Sequence, residues 1–91
     1  MYNIVIWNKA NNEIIEIHNY ISVDNLEIAD LVVERIYWTI DYFKIFPYLW
    51  KECWKFREFI EIKYKFRIVY EVNEEKNKII IISIFKNKNN F

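Results

Sequence analysis

Few side chains in this sequence have the type and spacing to do chemistry, and the most telling is Arg67. It stands in the run Phe66-Arg67-Ile68-Val69-Tyr70-Glu71-Val72, the middle of three consecutive strand-like stretches. A guanidinium stays charged at any accessible pH and offers five donors in a fixed fork. On a sheet face it can therefore hold a phosphate or a carboxylate bidentately. Alternation puts Lys65, Arg67, Val69 and Glu71 on one face of this run, and Phe66, Ile68, Tyr70 and Val72 on the other. In the preceding stretch, Arg57, Phe59, Glu61 and Lys63 share a face opposite Ile60, Ile62 and Tyr64. Aligning the apolar faces places Glu61 opposite Arg67, Arg57 opposite Glu71, and Arg67 opposite Ser83. Glu61 then reads either as an ion-pair partner, worth about 0.2–1 kcal/mol across strands, or as a general base beside a cation.

Other constellations are excluded. With no glycine there is no Gly-rich phosphate loop, and one histidine and one cysteine give no metal-ligand spacing. Ser22, Asp24 and His18 fall on one helix and turn, without triad geometry. Cys53 reads as a small apolar filler, and no disulfide can form within the chain, as suits a reducing compartment. No cofactor is implied.

The elements that must position these residues follow from periodicity. Residues 2–7 read as a short strand. Ala10, Ile14, Ile17 and Ile21 recur at helical spacing over about residues 9–21. Asp24 with Glu27 has the spacing of a capping box and opens a second helix. Its apolar stripe is Ala29, Val32, Ile36, Ile40 and Phe43, widened by Leu31, Val33, Tyr37 and Trp38, so this helix is expected to touch something on two sides. It stops before Pro47. An aromatic loop over residues 45–55 follows, then three strands, with Asn73 to Asn77 as a hairpin turn. The run from Lys78 to Lys86 is apolar on both faces and suits a central position. The expected fold is α+β in two layers, β-α-α-β-β-β, with a helical hairpin on one face of a mainly antiparallel sheet.

Ninety-one residues make one domain, 1–91. The composition is 54% hydrophobic and 20% aromatic, which helps a chain of this size fill a core. Thirteen basic residues balance thirteen acidic ones, against a strongly electrostatic grip on nucleic acid. Met1 to Trp7 has neither a basic start nor a long apolar run, and no stretch reaches the length of a membrane span. A cytoplasmic protein with no membrane partner is expected.

The order of these pieces resembles the RelE/ParE toxin superfamily over nearly the whole chain. The matching segments are Ile4-Val5-Ile6-Trp7-Asn8-Lys9-Ala10, Ile14 to Ile17 with Tyr20-Ile21, Asn25-Leu26-Glu27-Ile28-Ala29, Ile45-Phe46-Pro47, Arg57-Glu58-Phe59 and Phe66 to Val72. The resemblance implies a type II toxin, as in plasmid stabilisation modules, bound by a cognate antitoxin in a hetero-oligomer. RelE-like members cut mRNA on the ribosome with basic residues on the sheet and a general acid near the C-terminus. ParE-like members inhibit DNA gyrase. On the nuclease reading Arg67, Glu61, Arg57 and Lys86 are the candidate catalytic residues. Yet Lys86-Asn87-Lys88-Asn89-Asn90-Phe91 contains no good proton donor where nuclease members place Arg and then Tyr or His. The gyrase-poison branch is favoured over the endoribonuclease and over an inactive homologue that only binds antitoxin. The resemblance also implies that Trp38, Phe46, Trp50 and Trp54 receive the antitoxin's amphipathic segment.

Overall fold

Two amphipathic runs and several runs of β-branched and aromatic residues set the architecture, and the computed structural model describes residues 1–48, 52–53 and 56–86 of it. The elements are β1 (Asn3–Ile6), α1 (Asn8–Ser22), α2 (Leu26–Phe43), β2 (Glu52–Cys53), β3 (Phe56–Glu61), β4 (Phe66–Asn73) and β5 (Lys78–Lys86). They form one sheet in the order β1-β5-β4-β3-β2, with β1 parallel to β5 and the other pairings antiparallel. The expected α+β fold is the observed one, with the two-residue β2 added in the aromatic loop. The doubly apolar β5 lies between β1 and β4, as its composition requires.

The helical hairpin covers one face of the sheet. Ala10 and Ile14 of α1 and Val32, Ile36, Ile40 and Phe43 of α2 pack on Phe66, Ile68 and Tyr70 of β4 and Ile79, Ile81 and Ile84 of β5. Phe43 anchors the far end. Its ring stacks on Tyr70 at 4.2 Å and meets Phe59 edge-on at 5.8 Å. The Tyr70 hydroxyl donates to the Pro47 carbonyl at 2.8 Å, which ties the start of the aromatic loop to the core and satisfies a buried polar group. Burial pushes the Tyr70 phenol up to about 12, partly opposed by the charge of Arg57.

Two sequence expectations are corrected here. The cap of α2 is Asn25, whose side chain accepts from the Ile28 N–H at 3.1 Å; Asp24 lies one residue too early. The strand register also differs. From the turn, Asn73 pairs with Lys78 and Val72 with Ile79, one residue from the expected register; where Tyr70 pairs with Ile81 but Val69 with Ser83, β5 carries one extra residue, which shifts Ile68 to Ile84 and Arg67 to Phe85. This bulge keeps both Ile81 and Ile84 buried on the helix face.

The bulge is held from the helix side. Glu13 of α1 accepts from the Ile84 N–H and the Ser83 hydroxyl, both at 2.9 Å, and Lys9 donates to Glu13 at 2.8 Å and to Ser83 at 3.0 Å. Burial alone raises the Glu13 carboxyl, but Lys9, the Ile84 amide and Ser83 outweigh it and the net shift is downward. Without glycine, the turns rest on Lys65 and Asn77, both in the left-handed region with φ of 59° and 56°. Asn77 suits this position and also donates to the Met1 carbonyl at 2.9 Å. No helix among the described residues is long and apolar enough to cross a membrane.

Candidate functional site

Arg67 points away from the helices, on the uncovered face of the sheet. Phe66, Ile68 and Tyr70 are buried beneath the hairpin, and Arg67, Val69 and Glu71 alternate with them. The partner of Arg67 is Glu58, whose Oε1 accepts from Nη1 at 2.8 Å. The two are diagonal neighbours, since Glu58 pairs with Val69 and Arg67 with Ile60. Both side chains are partly shielded, at 21% and 30% exposure. An ion pair therefore sits in the middle of this face, as one of the readings from sequence had it, but with a different carboxylate.

Glu61, Arg57 and Lys86 are not beside it. Glu61 pairs with Phe66 and Arg57 with Tyr70, so both belong to the helix face. Lys86 also pairs with Phe66, and its ammonium lies 5.9 Å from the Tyr20 ring at the edge of α1. For Glu61 and Arg57 the physical reason is a one-residue slip in β3, which moves its side chains to the opposite face. Phe59, not Ile60, goes inward, because its ring has Phe43 to meet. Ile62, expected to share the apolar face with Ile60, is in the turn and exposed.

Inward orientation makes Glu61 a buried carboxylate, 3% exposed, and it is compensated on both oxygens. Oε2 accepts from Arg35 Nε of α2 at 3.1 Å, and Oε1 accepts from the Tyr64 N–H at 2.7 Å. Arg57 lies with its guanidinium carbon 4.6 Å from the Tyr48 ring centre. The Tyr48 hydroxyl donates to Glu74, and this bond is the main reason its phenol is held above the usual range, with desolvation adding to it.

The uncovered sheet face is therefore less polar than the sequence suggests. Val5, Ile60 and Phe85 are exposed on it, with Val69, Ile80 and Ile82 half-buried around the Arg67–Glu58 pair. Of the charges expected there, only Arg67 and Glu71 belong to the face. Lys63 and Lys65 lie in the turn after β3.

A second exposed surface runs along the outside of α2. Trp38 stacks on Tyr42 at 6.0 Å and Tyr42 packs on Phe46 at 5.1 Å, an i, i+4, i+8 column of rings. Trp38 is 59% exposed and Phe46 47%. The structure thus brings two of the four aromatic residues named from sequence onto one surface; Trp50 and Trp54 lie outside the described residues. Tyr42 and Arg35 were missed. The i, i+4 spacing of Trp38, Tyr42 and Phe46 carried the signal for the first, while the second needed the true face of Glu61. No cluster of three or more His, Cys, Asp or Glu among the described residues is placed to hold a metal.

A helical hairpin on one face of a mixed sheet is a fold shared with known bacterial toxins. The fold superposes on a chromosomal ParDE toxin–antitoxin system from P. aeruginosa with a TM-score of 0.80, at 17% identity over 97% of this chain and 98% of that one. It matches the isolated E. coli RelE toxin with a TM-score of 0.74, at 16% identity over 99% and 88%. It matches the intact E. coli RelBE complex with 0.60, at 15% identity over 98% and 100%. No curated protein matches the sequence. Residues 4–91 match the family model described as the ParE toxin of the type II toxin–antitoxin system parDE. The chain belongs to the ParE toxin family and is a type II toxin of the RelE/ParE superfamily.

Proposed function

We propose that this toxin arrests growth by binding DNA gyrase rather than by cutting mRNA, and that a cognate antitoxin restrains it along the outer face of α2. The observation that carries the first part is the dispersal of the nuclease candidates. Attack by a ribose 2′-hydroxyl needs a base, a cation and an acid converging on one phosphate. Here Glu61 is buried against Arg35, Arg57 lies against Tyr48, and Lys86 lies towards Tyr20, while Arg67 is neutralised by Glu58 among apolar neighbours. The segment 87–91 adds no acid, and a net charge of zero suits protein better than ribosomal RNA.

The test adds the purified protein to gyrase and, separately, to a translating extract. Blocked supercoiling or trapped cleaved DNA is expected, with mRNA intact. mRNA cut within ribosome-bound frames would reverse the assignment. Absence of growth arrest on expression without antitoxin would favour an inactive homologue.

The antitoxin surface is supported by the exposed Trp38, Tyr42 and Phe46 column, since large rings left in water on one helix face mark a protein contact. Antitoxin binding is expected to shift tryptophan emission to the blue and to protect the aromatic loop from proteolysis. Unchanged emission and cleavage on adding the antitoxin would remove this surface from consideration. Relatives solved with an antitoxin bound, RelBE and RelE with a RelBc peptide, add support for such a partner.

A further inference from the structure

β1 is an edge strand. β5 lies on one side of it and, among the described residues, no strand lies on the other. Its hydrogen bonds show which groups that edge presents. The Asn3 N–H donates to the Asn77 carbonyl and the Trp7 N–H to the Ile81 carbonyl, both at 3.0 Å, so the odd-numbered residues face β5. Alternation turns the N–H and C=O of Tyr2, Ile4 and Ile6 the other way. The Tyr2 N–H meets the Lys44 carbonyl, just after α2, at 3.4 Å. Ile4 and Ile6 have no such neighbour among the described residues. Two donors and two acceptors therefore stand in a row on the outside of the sheet.

Edges of this kind are usually blunted by a charge, a proline or a bulge. The strand Asn3-Ile4-Val5-Ile6 carries none of them. Its surroundings are apolar. Val5 is exposed on the open face of the sheet, and Met1 and Trp7 are exposed at the two ends. Ile4 and Ile6 are half-buried at the margin of the core. The edge also continues into the outer surface of α2. A cleft of about 370 Å³ is lined by Met1, Trp38, Asp41, Tyr42, Lys44 and Ile45. Two members of the aromatic column thus stand on its wall, where Tyr2 meets Lys44. Asp41 and Lys44 pair with each other at 3.1 Å, so this passage has no surplus charge with which to select an occupant. It offers apolar surface and, beyond it, main-chain groups.

We infer that β1 accepts a sixth strand from the antitoxin. An extended segment, with β-branched or aromatic residues at alternate positions, pairs with the main chain of Ile4 and Ile6. It runs through the cleft between Met1 and Ile45 into the part of the antitoxin that lies on Trp38, Tyr42 and Phe46. Main-chain bonds supply the attraction, and no charged side chain is required of the partner. A second copy pairing β1 with β1 would cover only this four-residue edge, far less than the roughly 800 Å² a side of stable complexes. A segment continuous with the aromatic column adds the two areas together. This rests on the reading that the antitoxin docks along α2, and it adds a second contact, its main-chain chemistry and the residues that make it.

The experiment follows amide hydrogen exchange of the full-length toxin, residue by residue, alone and saturated with full-length cognate antitoxin. In the free toxin the Ile4 and Ile6 amides are expected to exchange fast while Asn3, Val5 and Trp7 are protected. In the complex Ile4 and Ile6 should slow by about 100-fold or more. Affinity supplies the second reading. Ile4→Pro removes an outward donor, a change that an edge strand tolerates. Ile4→Ala removes more of the side chain but keeps the donor. Ile4→Pro should bind about tenfold more weakly than Ile4→Ala, with melting curves to check that both are folded; if Ile4→Pro does not fold, the exchange pattern decides. Unchanged exchange at Ile4 and Ile6 in the complex, with Trp38→Ala still weakening binding, would sink the sixth strand and leave the docking face standing. If Trp38→Ala binds like wild type as well, both readings fail. Protection with equal affinity of the two Ile4 variants would mean cover without pairing and overturns the inference. So would protection that appears in the toxin alone as concentration rises, together with a dimer mass, which gives the edge to a second copy.

Discussion

Arg67 and Glu61 show how far one residue's role depends on its partner. Arg67 has a carboxylate at 2.8 Å but keeps partial contact with water, so the pair is a modest contributor. Arg67→Ala is expected to lower stability by about 1 kcal/mol or less, read from the urea midpoint, and to leave the proposed gyrase inhibition in place. Loss of inhibition with stability retained would make the guanidinium itself, and not only the apolar residues around it, part of the contact with the target. Glu13 is the stronger structural residue, because three donors converge on it. Its folded pKa lies below the ordinary 4.5, so its contribution is complete above that value and disappears as pH falls through the lowered one. Glu13→Gln should cost about 2 kcal/mol at pH 7 and flatten the acid limb of the stability profile below pH 4.5. An acid limb with the same slope in the variant would assign the loss to other carboxylates. None of this was legible from spacing, since Glu13 and Ser83 stand at opposite ends of the sequence.

At the scale of elements, the hydrophobic pattern was a good guide to type and order and a poor one to phase. The two-sided apolar run of β5 named its own place in the sheet. In β3, Ile60 and Ile62 outweighed Phe59 in the pattern, and a buried Glu61 is acceptable only once Arg35 is seen to face it. The bulge in β5 has no glycine to announce it; the anchor is Glu13 on another element. The cap of α2 gives a clean test of such one-residue differences. Asn25→Ala should cost about 1 kcal/mol and Asp24→Ala a few tenths at most, both by chemical denaturation. The hairpin turn behaves likewise. Asn77→Ala places a Cβ with no local hydrogen bond in the left-handed region and should cost about 1–2 kcal/mol, while Asn77→Gly should be nearly neutral. Equal losses in the two variants would show that the bond to Met1, not the backbone, is what Asn77 supplies.

For the whole molecule, the sheet is the divider. One side is closed by the hairpin, whose outer surface carries the aromatic column. Among the described residues the other side is uncovered and mostly apolar around the Arg67–Glu58 pair. Restraint by a partner and action on a target can therefore occupy different sides of the protein. On the proposed function, substitutions along α2, such as Trp38→Ala, are expected to weaken antitoxin binding without relieving gyrase inhibition, and Ile82→Asp on the sheet to do the reverse. Pull-down with the antitoxin and a supercoiling assay on the same two proteins would separate these outcomes. A single variant that abolishes both while remaining folded would place the two surfaces together.

The parallel pairing of β1 with β5 has a consequence for how the protein is made. β5 is the last of the described elements, yet it lies inside the sheet between β1 and β4 and also meets α1. A nascent chain emerging from the ribosome exposes its two helices with no seat for their greasy sides until that strand arrives. Synthesis thus leaves a brief window in which the poison is unformed and harmless, and closing the window takes the slow, long-range zippering of its first strand against its last.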